Sequence, residues 1–217
     1  MAFRFDEIAE QYQYLPFKNS FMFRQVMQNT NIAKQFLEAV LGNEIDKVDP
    51  SLAVKNRFNA CLEDGARLEV YPRGKAYPDD VFIVSSETSC LEQKTRVYLA
   101  AMNSYPNTCY VIHVCNFDPF MRGLARYETV SCLKGFDDTP YDDGTRVIFL
   151  NSRYENGNAD PQILAFLDYL RGGDSITPNF GLAKAVHDEV MKCRKDEASK
   201  DRFVVEQLLR LEKDKAV

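Results

Sequence analysis

The sequence predicts a mixed α/β (α+β) fold: one β-sheet with both antiparallel and parallel strand pairs, flanked by helices, and a helical C-terminal extension. Three observations carry that prediction. Asp64-Gly65, a strong hairpin signal, joins two strand-like runs. A helical stretch at residues 91–104 then separates the strand run Val81–Ser86 from the apolar run Tyr110–Phe117. Beyond residue 160 the pattern is helical. Antiparallel strands followed by a helical crossover to another strand give a mixed sheet with helices packed on it.

Residues 20–41 place Phe23, Val26, Met27, Phe36, Leu37, Val40 and Leu41 at helical spacing, with Ser20 as the expected cap and Gly42 after the end. Asn29-Thr30-Asn31 marks a break in the middle. A strand is expected over Arg57–Glu63. Ala66–Tyr71 alternates, with Ala66, Leu68 and Val70 on one face and Arg67, Glu69 and Tyr71 on the other. Pro72, Gly74 and Pro78 form a loop before the third strand. Two later strands are expected at Ala125–Leu133 and Thr145–Arg153. Helices follow at Asp160–Arg171, Leu182–Cys193 and Arg202–Lys213, the last two joined by the polar stretch KDEASKD. Residues 1–171 read as one domain and residues 172–217 as an extension, packed on it or used in association.

The bulk numbers exclude several classes. With 45% hydrophobic and 27% charged residues in 217, the chain has an ordinary globular composition. No run of 18 apolar residues is present, so no membrane span is expected, and the N-terminus lacks the apolar core of a signal peptide. A cytoplasmic location is the expectation. The net charge of −5 argues against a protein that coats nucleic acid, whose affinity rests on neutralising phosphates. Six cysteines occur without a CxxC pair, and only His113 and His187 could join them in a metal site. They are expected to be small buried hydrophobes in a reducing compartment.

Pro78-Asp79 followed by Glu92-Gln93-Lys94 spells the motif of a large class of metal-dependent nucleases. The chemistry behind that motif needs two acids on neighbouring strands facing the same way, so that a divalent ion keeps open positions for water and phosphate. A lysine or glutamine two residues after the second acid then shares its strand face. The literal match fails this requirement. Asp79 precedes the third strand, Glu92 begins a helix, and residues two apart on a helix do not share a face.

A different alignment gives a resemblance. KNSFMFRQV at Lys18–Val26 is similar to the opening K-N-D-x-x-F helix of the PD-(D/E)XK nuclease family transposases, the recombination-promoting nuclease group. RLEVY at 67–71 resembles that family's R-L-D-V-Y strand. CNFDPFMRGLARY at 115–127 resembles its I-C-x-F-D-P-F-G-x-G-x-x-x-Y segment, and DDGTRVIFLNSR at 142–153 its N-D-G-T-x-x-I-F-L-N signature. FLDYL at 166–170 is similar to the segment that follows. The resemblance covers residues 17–171 and implies a restriction-endonuclease-like core.

It also implies a depleted metal site. Glu69 stands at the family's first aspartate. The family's second strand reads I-E-M-Q where this chain has Val84-Ser85-Ser86-Glu87, so Ser85 takes the place of the second acid and Glu87 that of the glutamine. Ser20 stands at the aspartate of the opening helix. In a relocated site, Glu69 and Glu87 would hold magnesium or manganese, and Lys94 or Arg96 from the next helix would supply positive charge. The candidate catalytic positions are thus Glu69, Ser85, Glu87 and Lys94, with Glu69, Ser85 and Glu87 expected on one face. Lys94, Arg96, Arg122 and Arg126 form a candidate nucleic-acid or partner patch, or are ordinary surface charges. His113 in its apolar strand is expected to be a hydrogen-bonded core residue, and Asp118-Pro119 to shape a turn.

Two functions follow from the resemblance. One is a magnesium- or manganese-dependent DNA endonuclease of mobile-element or phage type. The other is a catalytically inactive nuclease-fold protein, needing no cofactor, that inhibits or regulates a nucleic-acid-processing complex. The expected partners are DNA or such a protein complex, with a homodimer supported by the helical tail and no membrane partner.

Overall fold

The computed structural model describes residues 2–45, 47–50, 65–73, 80–86, 91–92, 95–96, 99 and 109–213. It opens with three helices, α1 (Ala2–Tyr12), α2 (Ser20–Met27) and α3 (Thr30–Leu41). Asn19 caps α2, its side chain accepting from Phe21 N, so the cap falls one residue before the expected Ser20. Asn29 caps α3 in the same way, accepting from Asn31 N, and this second cap makes the break that Asn29-Thr30-Asn31 predicts. Gly42 ends α3 with a φ of 74°, the left-handed turn that glycine takes without a Cβ penalty.

The main sheet contains β1 (Lys47–Pro50), β2 (Gly65–Arg73), β3 (Asp80–Ser86), β4 (Cys109–Cys115), β5 (Arg126–Glu128) and β8 (Thr145–Asn151). Between β5 and β8, β6 (Cys132–Leu133) and β7 (Phe136–Pro140) form a separate two-stranded sheet. The order across the main sheet is β1-β2-β3-β4-β8-β5. The pairs β1–β2 and β2–β3 are antiparallel, β3–β4 and β4–β8 parallel, and β5–β8 antiparallel. The fold is therefore mixed α/β with a mixed sheet, as the sequence predicts. The expected strand at Arg57–Glu63 lies outside the described residues. The expected run Ala125–Leu133 divides into β5 and β6.

Register assigns the two faces. Ile112 lies beside Ile148, and Val114 beside Leu150. These four are buried in the main core with Phe23, Val26, Phe36, Leu37 and Phe166. On the other face, Val111, Cys115, Val147 and Phe149 form a smaller core with Leu91, and the half-buried Leu99, Phe117 and Tyr127 pack on it. Residues 91, 92, 95, 96 and 99 are helical. Leu91, Thr95 and Leu99 recur every four residues and are buried or half-buried, whereas Glu92 and Arg96 are exposed. This segment thus covers the second face with its apolar side.

The C-terminal helices α4 (Pro161–Gly172), α5 (Gly181–Cys193) and α6 (Glu197–Lys213) complete the main core through Ile163, Leu167, Val186, Val190, Phe203 and Val204. Helix α6 begins at Glu197 rather than at Arg202, because the Asp196 carboxylate accepts from both Ser199 N and Ser199 Oγ. The rings of Tyr12, Phe21 and Phe203 pack at 5.2 to 6.1 Å and tie α1 and α2 to α6. No helix among the described residues is long and apolar enough to cross a membrane.

Candidate functional site

Glu69 and Ser85 sit on adjacent antiparallel strands, so their pairing decides whether they can act together. Glu69 lies opposite Phe82, whereas Ser85 lies opposite Ala66. Directly paired residues share a face and successive residues alternate. Phe82 and Ser85 are an odd number of residues apart, so positions 69 and 85 fall on opposite faces of the sheet. This corrects the expectation that both line one face. Position 69 belongs to the row Glu69–Phe82–Val111–Val147, on the face covered by the 91–99 helical segment. Position 85 belongs to the row Ala66–Ser85–Val114–Leu150, on the side of the main core.

Glu87 and Lys94 lie outside the described residues, as does Asp79 of the literal motif. Glu92 is helical and exposed, which agrees with dismissing that match. Arg96 is exposed beside the buried Thr95. Arg126, on β5, donates from Nη2 to the Glu128 carboxylate at 2.9 Å, so its charge is balanced within its own strand. Arg122 is exposed in the loop after β4. Among the described residues, no group of three or more His, Cys, Asp and Glu side chains is gathered to hold a metal ion.

His113 is fully buried and stacks on Phe149 with centroids 5.0 Å apart and planes within 7°. Its Nε2 is 2.8 Å from Thr95 Oγ1. This hydrogen bond fastens the 91–99 segment to β4, in keeping with a core role for the histidine.

Two segments of the family resemblance meet at the carboxyl ends of the parallel strands, where Ser86, Cys115 and Asn151 stand in one row. Ligands of α/β sheets commonly gather beyond such ends. The loop after β4 is built around Asp118. Its carboxylate accepts from Phe120 N (3.1 Å), Met121 N (3.0 Å), Gly123 N (2.7 Å) and Tyr127 Oη (2.7 Å). Burial pushes this carboxyl up, but the hydrogen bonds from Tyr127, Gly123, Phe120 and Met121 together outweigh it and hold it below the usual range. Burial and the bond to Asp118 raise the Tyr127 hydroxyl.

Asn151 joins the second segment to this loop, donating from Nδ2 to Leu124 O at 2.9 Å and accepting Arg153 N on Oδ1 at 2.7 Å. Asn158 Oδ1 accepts from Ala125 N and Arg126 N. Tyr127, Asn151 and Asn158 are thus the positioning residues that sequence reasoning did not single out. Tyr127 and Asn151 were visible as polar ends of the resembling segments; Asn158 carried no such signal. Ser152, beside Asn151, is fully buried, and its hydroxyl has no hydrogen-bond partner among the described residues.

The loop tip exposes Met121, 91% accessible and with a φ of 53°. The resembled pattern carries glycine at this position, and a residue with a Cβ is strained there. Phe120 beside it rests edge-on against Tyr127 and Phe149 while remaining 40% exposed. The excursion through β6 and β7 leaves the sheet at its opposite end, between Glu128 and Thr145, and exposes Val130, Leu133, Phe136 and Tyr141. Arg122 and Arg153 are exposed at the Asp118-loop end, whereas Arg126 and Arg146 are paired with Glu128 and Asp142.

No protein-family model, curated protein or solved structure matches this chain.

Proposed function

We propose that this chain is a PD-(D/E)XK nuclease-type scaffold of mobile-element or phage kind that acts by binding a protein of a nucleic-acid-processing complex rather than by cutting. One observation carries the reading: the β2–β3 register sets positions 69 and 85 on opposite faces, so the two places of the expected metal acids do not converge. Ser85 also brings no carboxylate. The exposed Phe120 and Met121 at the tip of the loop after β4 support a protein partner, since exposed apolar side chains gather at such interfaces. The net charge of −5 suits a partner with a basic, nucleic-acid-binding surface.

A metal-dependent DNA endonuclease is the second reading. It is favoured by Glu69 falling on the face that the 91–99 segment covers, the segment from which Lys94 or Arg96 would act. Glu69 with Glu87 would then bind magnesium or manganese and polarise a phosphate.

Calorimetric titration of both metals into the wild type and a Glu69→Ala/Glu87→Ala variant, beside a plasmid-nicking assay, separates the two. The binding reading expects no metal-dependent nicking and no difference between the proteins. Manganese binding and nicking that disappear together in the variant would overturn it.

A further inference from the structure

We propose that α6 is a self-pairing helix, through which two copies of this chain associate antiparallel about a two-fold axis that crosses the Val205–Leu209 face level with residue 207. One side of α6 is already occupied. Ser199, Phe203 and Val204 are buried, Phe203 packs against Tyr12 and Phe21, and Glu206 receives Arg24 at 2.5 Å. The opposite side carries Val205 and Leu209, exposed by 54% and 55%, with Arg202 before them and Glu212 after, both exposed. Val205 and Leu209 lie one helical turn apart on this side and can be covered together by one partner helix.

The spacing identifies the occupant. Arg202, Val205, Leu209 and Glu212 follow one another at intervals of three, four and three, the repeat of residues that meet along a helix pair. Two antiparallel copies centred level with residue 207 bring Val205 of one against Leu209 of the other, twice. The same operation brings Arg202 against Glu212 of the second copy, again twice. A parallel pair instead sets Arg202 against Arg202 and Glu212 against Glu212. The stripe is therefore complementary to itself in the antiparallel sense, as an isologous two-fold contact requires.

Its existing bonds are compatible with this pairing. Arg202 is braced by Nη2, which donates to Gln25 Oε1 at 3.0 Å and Ser199 Oγ at 2.8 Å. The ion pairs Arg24–Glu206, Arg210–Glu206 and Lys200–Glu197 use residues off the stripe. One helix stripe is smaller than the roughly 800 Å² per partner of a standard stable interface, so the dimer is a weak one, set by concentration.

Sedimentation velocity over a concentration series of the full chain tests this. The wild type is expected to pass from monomer to dimer as concentration rises. Val205→Glu/Leu209→Glu is expected to weaken the dimer by more than about tenfold, because both Val205–Leu209 contacts, four aliphatic side chains in all, are lost. Arg202→Glu and Glu212→Arg are each expected to weaken it several-fold, and Arg202→Glu/Glu212→Arg to restore it. Restoration is the decisive readout. The double variant lacks the Gln25 and Ser199 bonds as surely as Arg202→Glu does, so a merely structural role for Arg202 predicts no rescue. A wild type that stays monomeric at the highest attainable concentration overturns the proposal. So does a dimer indifferent to all four variants, or a double reversal that leaves folded protein unable to pair.

Discussion

The Tyr127 hydroxyl donates to the Asp118 carboxylate at 2.7 Å, and the same carboxylate collects three backbone N–H groups of the loop between them. One side chain thus satisfies three of the four backbone N–H groups of residues 120–123. The loop holds one shape although its tip is exposed. That single acid fixes where Phe120, Met121 and Arg122 stand relative to the ends of β4 and β8.

Asp118→Asn is expected to destabilise the protein by about 1–2 kcal/mol at neutral pH, since a charge-assisted acceptor of several bonds becomes a neutral amide. The sign of the pH dependence follows from the depressed carboxyl. A group ionising more readily when folded contributes stability above its unfolded pKa, about 3.9, and loses it as pH falls through the lower folded value. Urea unfolding of wild type and variant should therefore differ at pH 7 and converge below roughly pH 4. A difference that persists unchanged into acid contradicts this account of the loop.

Met121 occupies the left-handed region at a φ of 53°. That conformation costs a residue with a Cβ about 1–2 kcal/mol, and glycine nothing. Glycine also gives the unfolded chain about 0.5–1 kcal/mol of extra freedom. Met121→Gly is therefore expected to be neutral or stabilising by roughly 0.5 kcal/mol, whereas Met121→Val is expected to destabilise by at least 1 kcal/mol, because β-branching makes the strain worse. Thermal unfolding of both variants checks the ordering. Under the proposed function, Met121→Gly also weakens capture of the protein partner, so retention of strained methionine would have a use.

Most helices and the apolar strands were legible because their signals are local. Asn29 and Gly42 mark the ends of α3 by side-chain capping and by a left-handed turn, and both depend only on immediate neighbours. Strands β4 and β8 carry the apolar runs Tyr110–Ile112 and Val147–Leu150, as expected of strands buried on both faces. By contrast, β1 consists of four residues, Lys-Val-Asp-Pro, and β7 reads Phe-Asp-Asp-Thr-Pro. Neither carries β-propensity or alternation, and only pairing to a neighbour makes them strands. The start of α6 was hidden in KDEASKD because a polar stretch reads as a linker until Asp196 is seen as its cap. The faces of Glu69 and Ser85 were not legible for a deeper reason. Alternation within β2 and within β3 is visible in the sequence, but the offset between the strands is set by how the chain turns between them. A shift of one residue decides whether Glu69 and Ser85 meet.

Cysteine reactivity provides a third test, and the structure corrects one expectation here. Cys115 and Cys193 are buried, as expected, but Cys132 in the β6–β7 excursion is exposed. Burial, with a smaller contribution from Asp118, pushes the Cys115 thiol up to about 12, and burial with Glu189 nearby pushes Cys193 up to about 11. Both are thus protonated and shielded at neutral pH, whereas alkylation needs an accessible thiolate. Iodoacetamide labelling followed by peptide mass mapping should modify Cys132 in the native protein. Cys115 and Cys193 should react only in denaturant. Native labelling of Cys115 at a rate comparable with Cys132 would mean that the ends of β4 and β8 open.

The Thr95–His113 hydrogen bond predicts how the helical segment is held on the sheet. The segment contributes Leu91 and Leu99 to the smaller core, but these are two apolar contacts on a face shared with Val111 and Phe149. Among the described residues of the segment, the hydrogen bond between Thr95 Oγ1 and Nε2 of the fully buried His113 is a polar anchor. Thr95→Val keeps the shape and removes the bond, which is expected to cost about 1–3 kcal/mol because the histidine nitrogen stays in a site built for a polar partner. Thr95→Ser keeps the hydroxyl and should recover most of that loss. Hydrogen exchange distinguishes an anchor from a general packing defect. In Thr95→Val, amides at residues 95, 96 and 99 should lose protection well before those of β8, whose strand pairs remain intact. Equal loss across both would show that His113 stabilises the sheet as a whole and does not fasten the segment to it.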